Sequence, residues 1–152
     1  MKIGFVGHSF VFEQERVKEL VKEELRKSQR GEERLICYVG VKGDFDLICA
    51  KACKELKLEQ GGIEVIYVTP YISLSEQEKI KELQKCGLCD SSLYPPIENT
   101  PIKFAISKRN EWMMENSDLI IAYVEHNYGG AYKSLCYAKR KGKRIVNLCD
   151  LL

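Results

Sequence analysis

The chain has 152 residues, 45% of them hydrophobic and 30% charged, with a formal net charge of +2. That length supports one domain with a full core, over residues 1–152, and the composition excludes a disordered polar chain. The near-neutral balance argues against a surface built for DNA or RNA, so nucleic acid is not among the expected partners.

No apolar run approaches the roughly 20 residues of a membrane span, so no membrane role is expected. The opening MKIGFVGHSF lacks a small-residue cleavage pattern and reads as a first strand rather than a signal peptide. Seven cysteines, an odd count without a secretion signal, point to reduced thiols in a cytoplasmic protein.

Residues 2–6 are apolar and stop at Gly7, as a buried strand does before a turn. Over residues 13–30, Val17, Leu20, Val21 and Leu25 recur at helical spacing among Glu, Lys and Arg, and Gly31 ends the pattern. A second strand at 34–39 leads into Gly-Val-Lys-Gly-Asp-Phe-Asp at 40–46. Ile48, Cys49, Ala52, Cys53 and Leu56 mark one face of the next helix, which ends at Gly61-Gly62.

The third strand, 63–68, is closed by Pro70. Residues 75–85 read as a helix with Ser75 as its N-cap and Gly87 as its stop. A short strand at 91–94 precedes Pro95-Pro96, a helix covers 101–117, and a strand covers 118–124. The last helix and strand fall at 130–141 and 144–148. The basic cluster Lys139, Arg140, Lys141, Lys143 and Arg144 closes that helix, where cations complement the macrodipole on a solvated face.

Strands and helices in alternation, with near-continuous apolar strands, imply a mainly parallel sheet covered on both faces. The expected fold class is α/β, a Rossmann-like three-layer α/β/α sandwich. Such folds bind ligands beyond the carboxyl ends of the strands, where strand order reverses. Three turns qualify: Gly7-His8-Ser9, residues 40–46 with Gly40, Gly43, Asp44 and Asp46, and residues 125–130 with Glu125, Gly129 and Gly130. Each offers main-chain N–H groups, and a strand–glycine turn–helix order makes an anion site. Neither G-x-G-x-x-G nor a Walker A sequence occurs.

Arg109 is the sharpest single residue. Ile106 and Met113 belong to the inward stripe of its helix, so the guanidinium points where an apolar side chain is expected. It needs an internal carboxylate, a backbone acceptor or an anionic ligand, and the ion pair and the ligand carry equal weight. Asn110 either orients the same group or caps a carbonyl. His8 follows the first strand, where a residue faces the pocket, although a buried hydrogen-bonded histidine is the simpler reading. His126 reads as exposed. Asp44 and Asp46 could hold a ribose hydroxyl or a metal, with an N-cap role preferred for Asp44.

Cys86-Gly-Leu-Cys89 lacks a second ligand pair for structural zinc and ends a helix rather than starting one, so its spacing reads as incidental. Cys49 and Cys53 read as core residues. No nucleophile elbow or Ser-His-Asp set is present, and neither a cofactor nor a metal is expected.

These residues together resemble the SLOG superfamily, the Rossmann-like group containing the Smf/DprA and LOG proteins, and within it the small stand-alone YpsA-like branch. Carrying the resemblance are Gly7-His8, Gly40-x-x-Gly43-x-x-Asp46, Arg109-Asn110, Ser117-Asp118-Leu119-Ile120-Ile121-Ala122, Gly129-Gly130 and Tyr137-Ala138-x-x-x-Gly142-Lys143. They run in the expected order over nearly the whole chain. The resemblance implies a pocket for a nucleotide or nucleotide-derived small molecule, possessed by sensors as well as enzymes. It implies Arg109 and the 129–130 turn at the phosphate, and the Gly7 and Gly40 turns at the base or ribose. By the same analogy a homodimer is expected.

Two departures stand out. Ser9 replaces the arginine that often follows Gly-His in the branch. Gly129-Gly130-Ala131-Tyr132-Lys133-Ser134 lacks the acidic residue with which LOG enzymes assist N-glycosidic cleavage, and Glu125 and Asp46 are its nearest substitutes. The alternatives to a nucleotide binder are therefore a phosphoribohydrolase acting on nucleoside monophosphates and a DNA-processing module like Smf/DprA. Mild charge and the lack of an appended domain count against the last.

Overall fold

The computed structural model describes residues 1–31 and 33–152. Six strands form one parallel sheet: β1 (Lys2–Gly7), β2 (Leu35–Val39), β3 (Ile63–Val68), β4 (Ser91–Leu93), β5 (Leu119–Tyr123) and β6 (Arg144–Asn147). Between them run α1 (Gln14–Ser28), α2 (Asp44–Gln60), α3 (Leu74–Lys85), α4 (Ala105–Glu115) and α5 (Gly129–Arg140). The strand order is β4-β3-β2-β1-β5-β6. The expected α/β Rossmann-like sandwich is the architecture observed.

Central β1 aligns Ile3 with Cys37 on one side and with Leu119 on the other. All five residues of β5 are buried, which is why its sequence shows no alternation. Alternate side chains nevertheless feed different cores. Leu119, Ile121 and Tyr123 join Ile3 and Phe5 beneath α1, α2 and α3. Ile120 and Ala122 join Val6, Met113 and Leu135 beneath α4 and α5.

From β1 the chain steps outward through β2 and β3 to β4, then returns through α4 to β5 on the other side of β1. The reversal opens a crevice between the carboxyl ends of β1 and β5. Right-handed crossovers account for the layering: helices made while stepping one way cover one face, and those made stepping back cover the other.

Three local expectations change. Ser73, not Ser75, caps α3, its hydroxyl accepting from the Glu76 N–H at 3.1 Å. The helix expected over 101–117 is shorter, because Ile102–Phe104 form a 3₁₀ turn before α4. Gly43, not Asp44, occupies the N-cap of α2. Asp44 instead accepts the Val11 N–H at 3.0 Å and holds the β1–α1 loop against α2.

All seven cysteines are free thiols, with Cys37, Cys49 and Cys53 in the core. Cys86 caps the C-terminal end of α3, as its place after that helix implied. No helix among the described residues is long and apolar enough to cross a membrane.

Candidate functional site

The crevice is a cleft of about 550 Å³. Gly7, His8 and Ser9 enter it from the end of β1, Asp46 from α2, and Arg109 and Asn110 from α4. Glu125, Gly129 and Gly130 enter from the β5–α5 turn. Sequence-distant candidates thus meet because the ends of β1 and β5 and the helices α2 and α4 face the same reversal point. Gly40, Gly43 and Asp44 lie outside the lining and act on its construction.

Arg109 forms the floor and is only 2% exposed. Its Nη1 donates to the carbonyl of Val68 at 2.7 Å and to that of Gly40 at 3.3 Å. Its Nε donates to Asn110 Oδ1 at 2.9 Å, so the neighbouring amide orients the guanidinium. Among the described residues no carboxylate comes within ion-pair distance of it. Nη2 has no hydrogen-bond partner there either, yet no enclosed side-chain nitrogen or oxygen is left unsatisfied. Nη2 therefore opens on the cleft that the residue lines. Burial lowers the Arg109 pKa and nearby Asp46 opposes that shift; a desolvated cation with a donor to spare favours an anion.

Gly40 explains how so large a cation fits beneath the sheet edge. A Cβ at this position would stand 2.9 Å from Asp46 Oδ2 and 3.2 Å from Arg109 Cζ. The missing side chain makes room for both charged groups. Gly129 has φ +89°, a conformation available to glycine at little cost, and it begins α5. Its helix has no side-chain cap, so the first-turn N–H groups stay available beside the guanidinium.

Asp46 is the cleft's nearest acid. Its Oδ2 accepts the Lys42 N–H at 2.9 Å. Burial raises its pKa to about 6, while the Lys42 N–H and the Arg109 charge pull the other way. Between pH 5 and 7 this carboxyl changes charge next to the anion site.

His8 serves construction first. Its Nε2 accepts the N–H of Glu125 at 2.8 Å and that of His126 at 3.3 Å, tying the end of β1 to the β5–α5 turn. Only the neutral ring can accept there. Burial, then His126, lower its pKa, and Glu125 partly offsets them. A lowered folded pKa means that the unfolded chain takes the proton first, so this tie loses stability as pH falls below about 6.5. His8→Ala should destabilise the protein by about 1–2 kcal/mol at pH 7.5 and by less at pH 5. Thermal unfolding at the two pH values checks this, and an equal gap at both would refute it.

Other lining residues escaped the sequence reading: Lys42, Phe10, Phe12 and Tyr128. Lys42 and Tyr128 sit within or beside turns already singled out. Phe10 and Phe12 gave no signal, since exposed phenylalanines after a first strand carry no spacing rule. The basic cluster at the end of α5 lies at the opposite edge of the sheet, where Lys141 pairs with Glu115 at 3.3 Å. Among the described residues no group of three or more His, Cys, Asp or Glu is arranged to hold a metal.

No protein-family model matches the chain, and a comparison with curated proteins finds no match. Solved structures do resemble it. DNA processing protein A (DprA) from Streptococcus pneumoniae matches with a TM-score of 0.65 at 20% identity, over 95% of this chain and 48% of its own. DprA from Helicobacter pylori matches with a TM-score of 0.62 at 17% identity, over 95% of this chain and 63% of its own. The chain thus spans less than two thirds of either neighbour, and at such identity the likeness is one of fold. What the chain shares with them is the α/β Rossmann-like fold, and the likeness gives no support to the YpsA-like branch.

One expectation is overturned here. Nucleic acid was set aside as a partner on net charge, yet the Helicobacter protein is known from a structure of its single-stranded DNA binding mode. A protein of this fold can bind a single strand, so a mild overall charge does not dismiss nucleic acid. A few desolvated donors at one cleft can act locally where whole-chain charge reports only an average.

Proposed function

We propose that the cleft binds the phosphate of a nucleotide unit without cleaving it, as a sensor or carrier site would. One observation carries the reading: a buried guanidinium, held by two carbonyls rather than by an acid, keeps Nη2 free toward the cleft. The uncapped start of α5 lines the same cleft, and together they offer a phosphate both charge and main-chain donors. The motif resemblance to the YpsA-like branch supports a free nucleotide or nucleotide derivative. The DprA-like fold supports a second source of the same chemistry, a nucleotide within single-stranded DNA.

Thermal unfolding with nucleoside monophosphates in one arm and short single-stranded oligodeoxynucleotides in the other separates these sources. A ligand at a hundred times its dissociation constant should stabilise by about 2.7 kcal/mol. A shift with monophosphates supports the free ligand, whereas one confined to oligonucleotides favours the strand. No shift in either arm removes the proposal. Base release from the monophosphates would instead establish the phosphoribohydrolase reading, for which Asp46 and Glu125 are the carboxylates in the cleft.

A further inference from the structure

Aromatic rings crowd the rim of the cleft although water covers much of them. His8 and His126 stack at 4.5 Å between centroids, 30° from parallel. His126 and Tyr128 stack at 5.0 Å, 12° from parallel. The column ends in a Tyr128 ring that is 67% exposed, so an outer face remains open. From the β1–α1 loop, Phe10 and Phe12 meet edge to face at 4.8 Å while 65% and 70% exposed. Both loops line the cleft that holds Arg109.

Leaving such rings in water forgoes burial, and the column has no core beyond its last member to pack against. A planar aromatic ligand would continue it. Since the same cleft offers an anion floor, that ligand has a phosphate at one end and a ring at the other. We propose that Tyr128 is the stacking platform for a nucleobase, with the Phe10–Phe12 pair as the facing wall. This rests on the phosphate reading of the floor. Ring faces read overlap area rather than edge hydrogen bonds, so the platform selects purines over pyrimidines and discriminates little between adenine and guanine.

Calorimetric titration with the four ribonucleoside 5′-monophosphates and ribose 5-phosphate tests this. The purine monophosphates should bind about tenfold more tightly than ribose 5-phosphate and differ from each other by less than about threefold. Tyr128→Ala should bring the purine affinities down to that of ribose 5-phosphate, and Tyr128→Trp should keep the advantage. Equal binding of purine monophosphates and ribose 5-phosphate by the unaltered protein, or a tenfold advantage surviving Tyr128→Ala, overturns the platform and leaves the anion floor standing. If ribose 5-phosphate, the four nucleotides and a short single-stranded oligodeoxynucleotide all fail to bind, the floor fails and the platform falls with it.

Discussion

Replacing Arg109 by alanine is expected to weaken phosphate binding by about a hundredfold or more, the roughly 3 kcal/mol lost with a desolvated charge-assisted contact. The effect is large because the guanidinium is 2% exposed and already oriented by Asn110, Val68 and Gly40. Water screens it little, and little ordering remains to be done when the ligand arrives. Arg109→Lys should recover only part of the loss. A lysine keeps the charge but cannot hold two strand-end carbonyls and a ligand in the same planar fork. Stability should change less than affinity, since alanine strands the Val68 and Gly40 carbonyls but also removes a buried charge that no acid pairs. Isothermal titration beside thermal unfolding separates the two quantities. Unimpaired binding by a folded Arg109→Ala protein would sink the anion site. Collapse of the fold in both variants would instead assign the residue to structure.

Asp46→Asn should do the reverse, strengthening phosphate binding by about tenfold at pH 8 and scarcely at all at pH 5. Asp46 titrates near 6 because burial disfavours its charge. Above that pH an ionised carboxylate faces the incoming anion; below it the carboxyl is neutral, as asparagine is. The phosphate's own second ionisation also falls near pH 6, so the informative quantity is the ratio of the two proteins' affinities across pH, in which the ligand's titration cancels.

The same substitution reports on folding. With its folded pKa raised from 3.8 to about 6, Asp46 holds a proton more tightly in the native state than in the unfolded chain. Raising pH through that window costs the native protein stability. A shift of about two units is worth at most about 3 kcal/mol, and screening through the cleft mouth reduces it to about 1–2 kcal/mol. Asp46→Asn should be more stable than the unaltered protein by that amount at pH 8, and equal to it near pH 4. The Lys42 N–H keeps an acceptor in the asparagine oxygen, so the comparison isolates charge. His8 contributes the opposite slope over part of this range, which makes the difference between variants, not either pH profile alone, the test.

Much of this architecture is readable along the chain. Uninterrupted apolar runs such as residues 119–123 mark strands covered on both faces, and the Gly61-Gly62 pair marks where α2 stops. The inward stripe of α4 singles out Arg109 in the sequence, because a cation at an apolar position conflicts with its surroundings. Local signals failed where competing caps lay two residues apart, as with Ser73 and Ser75. They failed also at Gly43 and Asp44, where acceptance of a remote Val11 N–H outweighed a local cap.

Composition and periodicity alone therefore settle that this is a parallel α/β chain with an arginine pointing inward, because burial patterns repeat over short distances. What answers that arginine is decided by packing. Its acceptors are the Val68 and Gly40 carbonyls, 41 and 69 residues away in sequence, and main-chain atoms carry no side-chain signature to read. The ring column at the rim is likewise a product of assembly, since His8 meets the His126 ring, on which Tyr128 stacks, only once β5 docks beside β1.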